Sequence, residues 1–221
     1  MVHDLGVVDY DDAWALQKRL AAERISGALV HDTLLLVQHP PVITLGRSTK
    51  PGNLLSTPQR LAELGIQLRE VERGGDVTVH EPGQLVAYPI IDLKQHRQDL
   101  HWYLRQVEAA VIHALDAIGL DAERQAGQTG VWREGRKLAS IGVHAKDWVT
   151  WHGVALNVEN DLRTFEHIVP CGIDQVTMTT VQRECTLRGV KYPSLEAVRD
   201  ALVVAFATTF GLRAERNEFR R

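Results

Sequence analysis

Two side chains set the chemical question. Cys171 lies between Pro170 and Gly172 in the run Ile168-Val169-Pro170-Cys171-Gly172-Ile173, where a sharp turn would present its sulfur. A thiolate is a strong nucleophile, but a free cysteine has a pKa near about 8.5 and needs a basic or cationic neighbour. Lys137 opens a mostly apolar run over 137 to 143. Beside apolar surface an ammonium loses solvation, which lowers its pKa from about 10.4 and makes the amine a usable proton acceptor. Each residue also has a plain reading: an inert buried cysteine, and a surface lysine at a hairpin turn. Cys185 lacks the proline and glycine neighbours and reads as structural.

A third cluster is Arg73-Gly74-Gly75-Asp76-Val77-Thr78-Val79-His80, followed by Glu81, Pro82 and Gly83. Glycine lets backbone approach a ligand and leaves N–H groups to point at it. Arg73 and His80 suit a carbonyl, carboxylate or phosphate. The alternative is a structural hairpin with tight turns. The spacing is neither a P-loop nor a dinucleotide fingerprint. Further on, Gly142 and Gly153 allow close approach of an acyl chain or of backbone, while His152 and Asn157 read as satisfied structural polars. No C-x-x-C or H-E-x-x-H points to a metal, and no G-x-S-x-G points to a serine hydrolase.

These residues need a scaffold, and hydrophobic periodicity supplies one. Asp11 or Asp12 caps a first helix with Ala13, Leu16 and Leu20 on one face and Gly27 as its stop. Short apolar runs at 33 to 38 and 42 to 45 read as strands around Pro40-Pro41. A short helix at 57 to 64 precedes strands at 67 to 71 and 85 to 91. Asp99 caps the most regular helix, with Leu100, Tyr103, Leu104, Val107, Val111, Ala114, Leu115 and Ile118 at helical spacing. Residues 130 to 159 read as a β-meander turning at Glu134-Gly135 and Asp147-Trp148. Ser194 caps a last helix that stops at Gly211. Long helices with runs of strand predict an α+β fold, not a regular parallel series.

The chain has 221 residues, 44% of them hydrophobic and 24% charged, and a net charge of -3. We read it as a single domain over 1–221, in which 172–221 is set apart as a small C-terminal appendage ending in a helix. The charge argues against nucleic acid as a partner, although Arg133, Arg136, Lys137, Arg183, Arg188 and Lys191 would make a local basic patch if the fold gathers them. Two cysteines make no disulfide framework. Met1 to Gly6 lack a basic start followed by an apolar run, and no apolar stretch approaches the roughly 20 residues of a membrane span. A cytoplasmic location is the expectation.

Taken together and in order, three blocks resemble the octanoyltransferases of lipoate biosynthesis. They are R-G-G-D-V-T-V-H-E-P-G-Q-L-V-A-Y-P-I at 73 to 90, G-R-K-L-A-S-I-G-V with W-H-G-V-A-L-N-V at 135 to 158, and I-V-P-C-G-I at 168 to 173. Weaker similarity from the N-terminus through Gly46 extends the resemblance over most of the chain. It implies the fold of the biotin/lipoate protein ligase catalytic domain, a mixed sheet with packed helices. It also implies Cys171 as the acyl-carrying nucleophile and Lys137 as its partner. Arg73, Gly74, Gly75, Asp76, Val77, Thr78, Val79 and His80 would form the acyl-substrate pocket with Ser140, Ile141, Gly142, Gly153, Val154 and Ala155. The implied donor is octanoyl acyl carrier protein. The implied acceptors are lipoyl domains of 2-oxoacid dehydrogenases and the glycine cleavage H protein, with no cofactor.

On that mechanism, backbone N–H groups near Gly172 or the Gly74-Gly75 turn would hold the oxyanion. Ile141, Val143, Val154 and Leu156 would line an acyl tunnel or serve as core. The chain departs from the family pattern at Val79, usually tyrosine, and Glu81, usually glycine. Glu81 would alter the field at His80, change chain-length preference or face solvent. Two rivals remain: an ATP-dependent lipoate ligase on the same fold, and a module that binds acylated carriers without turnover.

Overall fold

The computed structural model describes residues 1–172 and 176–212, and only the backbone of Cys171. Ile173 lies outside the described residues. A large mixed sheet runs β1 (Val2–Val7), β2 (Thr33–Gln38), β6 (Gln84–Ile90), β10 (Val149–Asn157), β9 (Arg136–Lys146), β8 (Gln128–Arg133) and β7 (Glu123–Gln125), with β11 (Thr177–Met178) pairing parallel to β9. A smaller sheet holds β3 (Val42–Leu45) between β4 (Gln67–Glu70) and β5 (Val77–His80). The helices are α1 (Tyr10–Ser26), α2 (Pro58–Glu63), α3 (Leu100–Ala117), α4 (Val181–Leu187) and α5 (Leu195–Phe210).

Strand alternation divides the core. On β2, Leu34 and Leu36 join the cluster under α3 and α5, whereas Leu35 and Val37 join the cluster under α1. On β6, Leu85 and Ala87 face the first cluster and Val86 and Tyr88 the second. The large sheet is therefore covered on both faces, and all seven residues of β6 are buried. A third cluster, built on Ile43, Val77, Val79 and Phe165, fills the space around the small sheet.

Several expectations need correcting. The first helix is capped by Asp9, not by Asp11 or Asp12: Asp9 accepts from the Asp11 N–H at 2.9 Å, and the Asp11 carboxylate instead binds Arg69 at 2.8 Å. The glycine-rich segment is not a hairpin folded on its neighbour, because β5 belongs to the small sheet and β6 to the large one. Glu81, Pro82 and Gly83 make the step between them. Strands β1, β7 and β11 and helix α4 have no counterpart in the sequence pattern. The basic patch is not free positive charge, since Arg136 and Arg133 are paired with the buried Glu184 at 2.7 and 3.5 Å.

Candidate active site

Lys137 is the second residue of β9, and its side chain is 1% exposed. The surface-lysine reading is thereby excluded. Two features steer the chain inward. Gly130 on β8 has φ +138°, and a Cβ there would stand 2.8 Å from Lys137 Cε and 2.6 Å from the Ala139 carbonyl oxygen. Only glycine leaves room for the lysine to pass. The Lys137 carbonyl accepts from the Thr179 N–H at 3.0 Å, so the segment leading to α4 fixes the strand from the other direction.

The lysine opens on a cavity of about 270 Å³, just below the roughly 300–1,000 Å³ typical of small-molecule pockets. From the glycine-rich segment, Arg73, Gly75, Asp76, Val77, Thr78 and His80 line it. From β9 come Lys137, Ser140, Ile141 and Gly142, and from β10 come Gly153, Val154 and Ala155. Gly74 and Val79 are not at its wall. Gly74 donates its N–H to the Val143 carbonyl at 2.8 Å, and Val79 points into the third core cluster. Val143 and Leu156 belong to the core beneath α3 and α5, so Ile141 and Val154 are the two tunnel candidates at the wall. Tyr10, Tyr88 and His152 also line the cavity and were not expected there.

The Pro-Cys-Gly turn packs against this cavity. Residues Pro170–Gly172 form one turn of 3-10 helix, closed by the Gly172 N–H on the Val169 carbonyl at 3.0 Å. Gly172 has φ +63°, and a Cβ there would overlap Asp76 Oδ2. Asp76 accepts from Asn53 Nδ2 at 2.6 Å and from the Val77 N–H at 2.7 Å, while the Asn53 carbonyl accepts from the Val169 N–H at 2.8 Å. Asp76 thus ties the turn to the cavity wall. The amides of Gly172 and Gly74 are both engaged with carbonyls, which removes these two as the expected oxyanion donors.

Arg73 holds the glycine-rich segment to β3. Its Nη2 donates to the Thr44 carbonyl at 2.7 Å and to Thr44 Oγ1 at 2.9 Å, and its Nη1 donates to the Gly74 carbonyl at 3.1 Å. His80 is fixed by a chain of amides. Gln84 Nε2 donates to the Val79 carbonyl and to Asn157 Oδ1, so Gln84 Oε1 accepts from His80 Nδ1 at 2.9 Å. Asn160 Nδ2 donates to Asn157 Oδ1 and, at 2.7 Å, to Glu81 Oε1. Burial, followed by the nearby His39, pushes the His80 pKa well below its ordinary value. The ring is then neutral, with Nδ1 protonated and Nε2 left as its acceptor. Glu81 is therefore neither solvent-facing nor isolated: it terminates the amide chain that sets the His80 tautomer.

The chain has counterparts among known proteins. Residues 9–207 match the family model of the lipoyl protein ligase A/B catalytic domain. An octanoyltransferase of Thermosynechococcus vestitus is 45% identical over 208 residues, covering 94% of this chain and 88% of that protein. One from Geobacter sulfurreducens is 50% identical over 181 residues, covering 82% and 74%. This chain belongs to the octanoyltransferases. In solved structures, the same fold occurs in a bipartite lipoate protein ligase from Thermoplasma acidophilum (TM-score 0.73, 17% identity, 99% of this chain and 86% of that one). It also occurs in a biotin protein ligase from Aquifex aeolicus in complex with biotin and ATP (TM-score 0.54, 13% identity, 95% and 70%). The mixed α+β ligase-type sheet expected for an octanoyltransferase is the one found. Among the described residues, no helix is long and apolar enough to cross a membrane.

Proposed function

We propose that this chain moves an octanoyl or lipoyl group from acyl carrier protein to a lysine of a lipoyl domain, through an acyl thioester on Cys171. The observation that carries the reading is the buried Lys137 amine at a cavity of acyl size, with the cysteine turn packed on the cavity wall through Asp76. Family membership supports the same reading.

In the first step Lys137 takes or balances the thiol proton, and the Cys171 sulfur attacks the carbonyl of the incoming thioester. The carrier thiolate leaves and recovers a proton. In the second step the lysine amine of the lipoyl domain attacks the acyl-enzyme, an amide C–N bond forms, the bond between the acyl carbon and the Cys171 sulfur breaks, and the amine's proton passes to the departing sulfur. A thioester lies above an amide in free energy, so neither step calls for ATP. The acyl chain would run along the half-buried Ile141 and the buried Val154 and Ala155, which limit the access of water to the reacting carbonyl. Acceptors of this chemistry are the lipoyl domains of 2-oxoacid dehydrogenases and the glycine cleavage H protein.

The test is transfer from octanoyl carrier protein to a lipoyl domain without ATP, read as the mass of the domain. Wild type should acylate it, and Cys171→Ser should not. Lys137→Met keeps nearly the same volume while deleting the amine. It should lose about 10²-fold or more in rate, by the usual size of an acid–base contribution, with little change in melting temperature. Transfer by Cys171→Ser, or attachment only of free acid with ATP, would overturn the proposal.

A further inference from the structure

Behind the cavity lies a histidine that the acyl-transfer scheme above does not use. His152 sits inside β10 with φ +58°, a left-handed conformation that is strained for a non-glycine residue. Its N–H has left the strand ladder and donates to Gln17 Oε1 on α1 at 2.8 Å. The strain turns the imidazole into the cavity wall, where it is 1% exposed and makes no hydrogen bond through either ring nitrogen. A buried imidazole without a ring hydrogen bond is costly to keep, and such groups cluster where a ligand completes them.

What faces it is a carboxylate. Glu72 Oε1 lies 3.7 Å from His152 Nε2, an ion-pair distance too long for a hydrogen bond. Glu72 Oε1 accepts from the indole N–H of Trp151 at 2.7 Å and of Trp14 at 3.1 Å. Burial works to raise the Glu72 pKa, but the His152 ring and the two indoles outweigh it and keep the group ionised. The Glu72 side chain is 22% exposed, so the pair reaches from solvent to the cavity. An anion framed by two indoles suits an ammonium group.

We propose that Glu72 and His152 receive the acceptor lysine, with His152 as the base that removes its proton before attack. This rests on the acyl-enzyme reading of the preceding section. The acceptor enters as R–NH3⁺, which at neutral pH cannot attack because a lysine pKa is about 10.4. One proton passes to His152, and the imidazolium is stabilised by Glu72 and returns the proton to water along the solvent side. The freed lone pair forms the C–N bond, the C–S bond breaks, and the second ammonium proton goes to the departing Cys171 sulfur by way of Lys137. The products are the amide, the thiol and one released proton. Burial lowers the His152 pKa and Glu72 opposes that shift, leaving a neutral ring before the lysine arrives. The other charged or titratable groups around the ring are Arg73 and His80 from the glycine-rich segment and its strand, with His144 on β9.

The experiment separates the two half-reactions of the full-length protein. Wild type and His152→Asn are loaded with octanoyl carrier protein, and each acyl-enzyme is discharged either to a lipoyl domain or to hydroxylamine, whose nitrogen is unprotonated at neutral pH. Asparagine tolerates the left-handed backbone. Expected are equal loading, equal discharge to hydroxylamine, and discharge to the domain slowed about 10²-fold, the usual size of a general-base contribution. That deficit should shrink as pH rises and the lysine loses its own proton. Glu72→Gln should weaken the domain's apparent affinity and leave hydroxylamine discharge unchanged. Equal discharge to the domain by His152→Asn, or loss of both discharges together, overturns the role of His152. A wild type that never loads overturns the acyl-enzyme reading itself.

Discussion

Gly142→Ala isolates how the glycine-rich segment is held over the cavity. Gly142 on β9 pairs with Gly153 on β10, and its backbone is not left-handed, so the substitution acts through contact alone. The new methyl would stand 2.8 Å from the Gly74 carbonyl oxygen and 3.0 Å from Arg73 Cδ. Ordinary contact begins near 3.4 Å, so Gly74 must retreat by about 0.6 Å. That retreat pulls on the 2.8 Å bond from the Gly74 N–H to Val143 and on the Arg73 tether to Thr44. Overpacking of this kind costs about 1–3 kcal/mol. At about 2–4 °C per kcal/mol for a chain of this size, the melting temperature should fall by roughly 2–12 °C. A displacement near 1 Å can cost about 10²-fold in rate, so 0.6 Å should cost on the order of tenfold in kcat/KM for octanoyl transfer. Thermal unfolding and transfer kinetics measured together decide it. Unchanged melting with full activity would show that β9 does not restrain the segment and would refute the reasoning.

Acid should weaken the fold through its buried histidines. His39 donates from Nδ1 to the Val8 carbonyl and accepts at Nε2 from the Tyr88 hydroxyl, and burial pushes its pKa down to about 4. The folded pKa lies below the unfolded value of about 6.5, so its contribution is fully present above pH 6.5 and is lost as pH falls toward 4. The loss is about 1.4 kcal/mol per pH unit for this one group. Urea unfolding at pH 7 and pH 5 should show it, and a His39→Gln slope as steep as wild type would contradict it. Glu184→Ala leaves the Arg136 guanidinium and the Thr179 hydroxyl without their buried acceptor. It should cost on the order of 3 kcal/mol, and a loss below about 1 kcal/mol in urea unfolding would show that the pairing is slack.

The fold was legible wherever local chemistry and periodicity agreed. Asp99, Ser194 and Gly211 marked helix ends because caps and left-handed stops are local devices. The meander turns appeared as left-handed Glu134, Gly135, Asp147 and Trp148. What escaped was non-local. Val77 and Val79 alternate like a strand, but only β3 tells which sheet they join. Strand β1 is paired parallel to β2 alone and carries exposed Val7, so its pattern is weak. Lys137 was read as a candidate from an apolar run, while the reason it turns inward, the missing side chain at Gly130, sits on the neighbouring strand. The sequence pattern leaves His152 looking like a satisfied polar, because neither its backbone strain nor its lack of ring hydrogen bonds leaves a trace there.

The account depends most on a covalent acyl group at one sulfur. Intact-mass measurement of the protein mixed with octanoyl carrier protein, in the absence of any acceptor, reads this directly. Wild type should gain one octanoyl group, which alkali or hydroxylamine removes, and Cys171→Ala should gain none. An unmodified wild type that nevertheless acylates a lipoyl domain, or an adduct that survives Cys171→Ala, would contradict it.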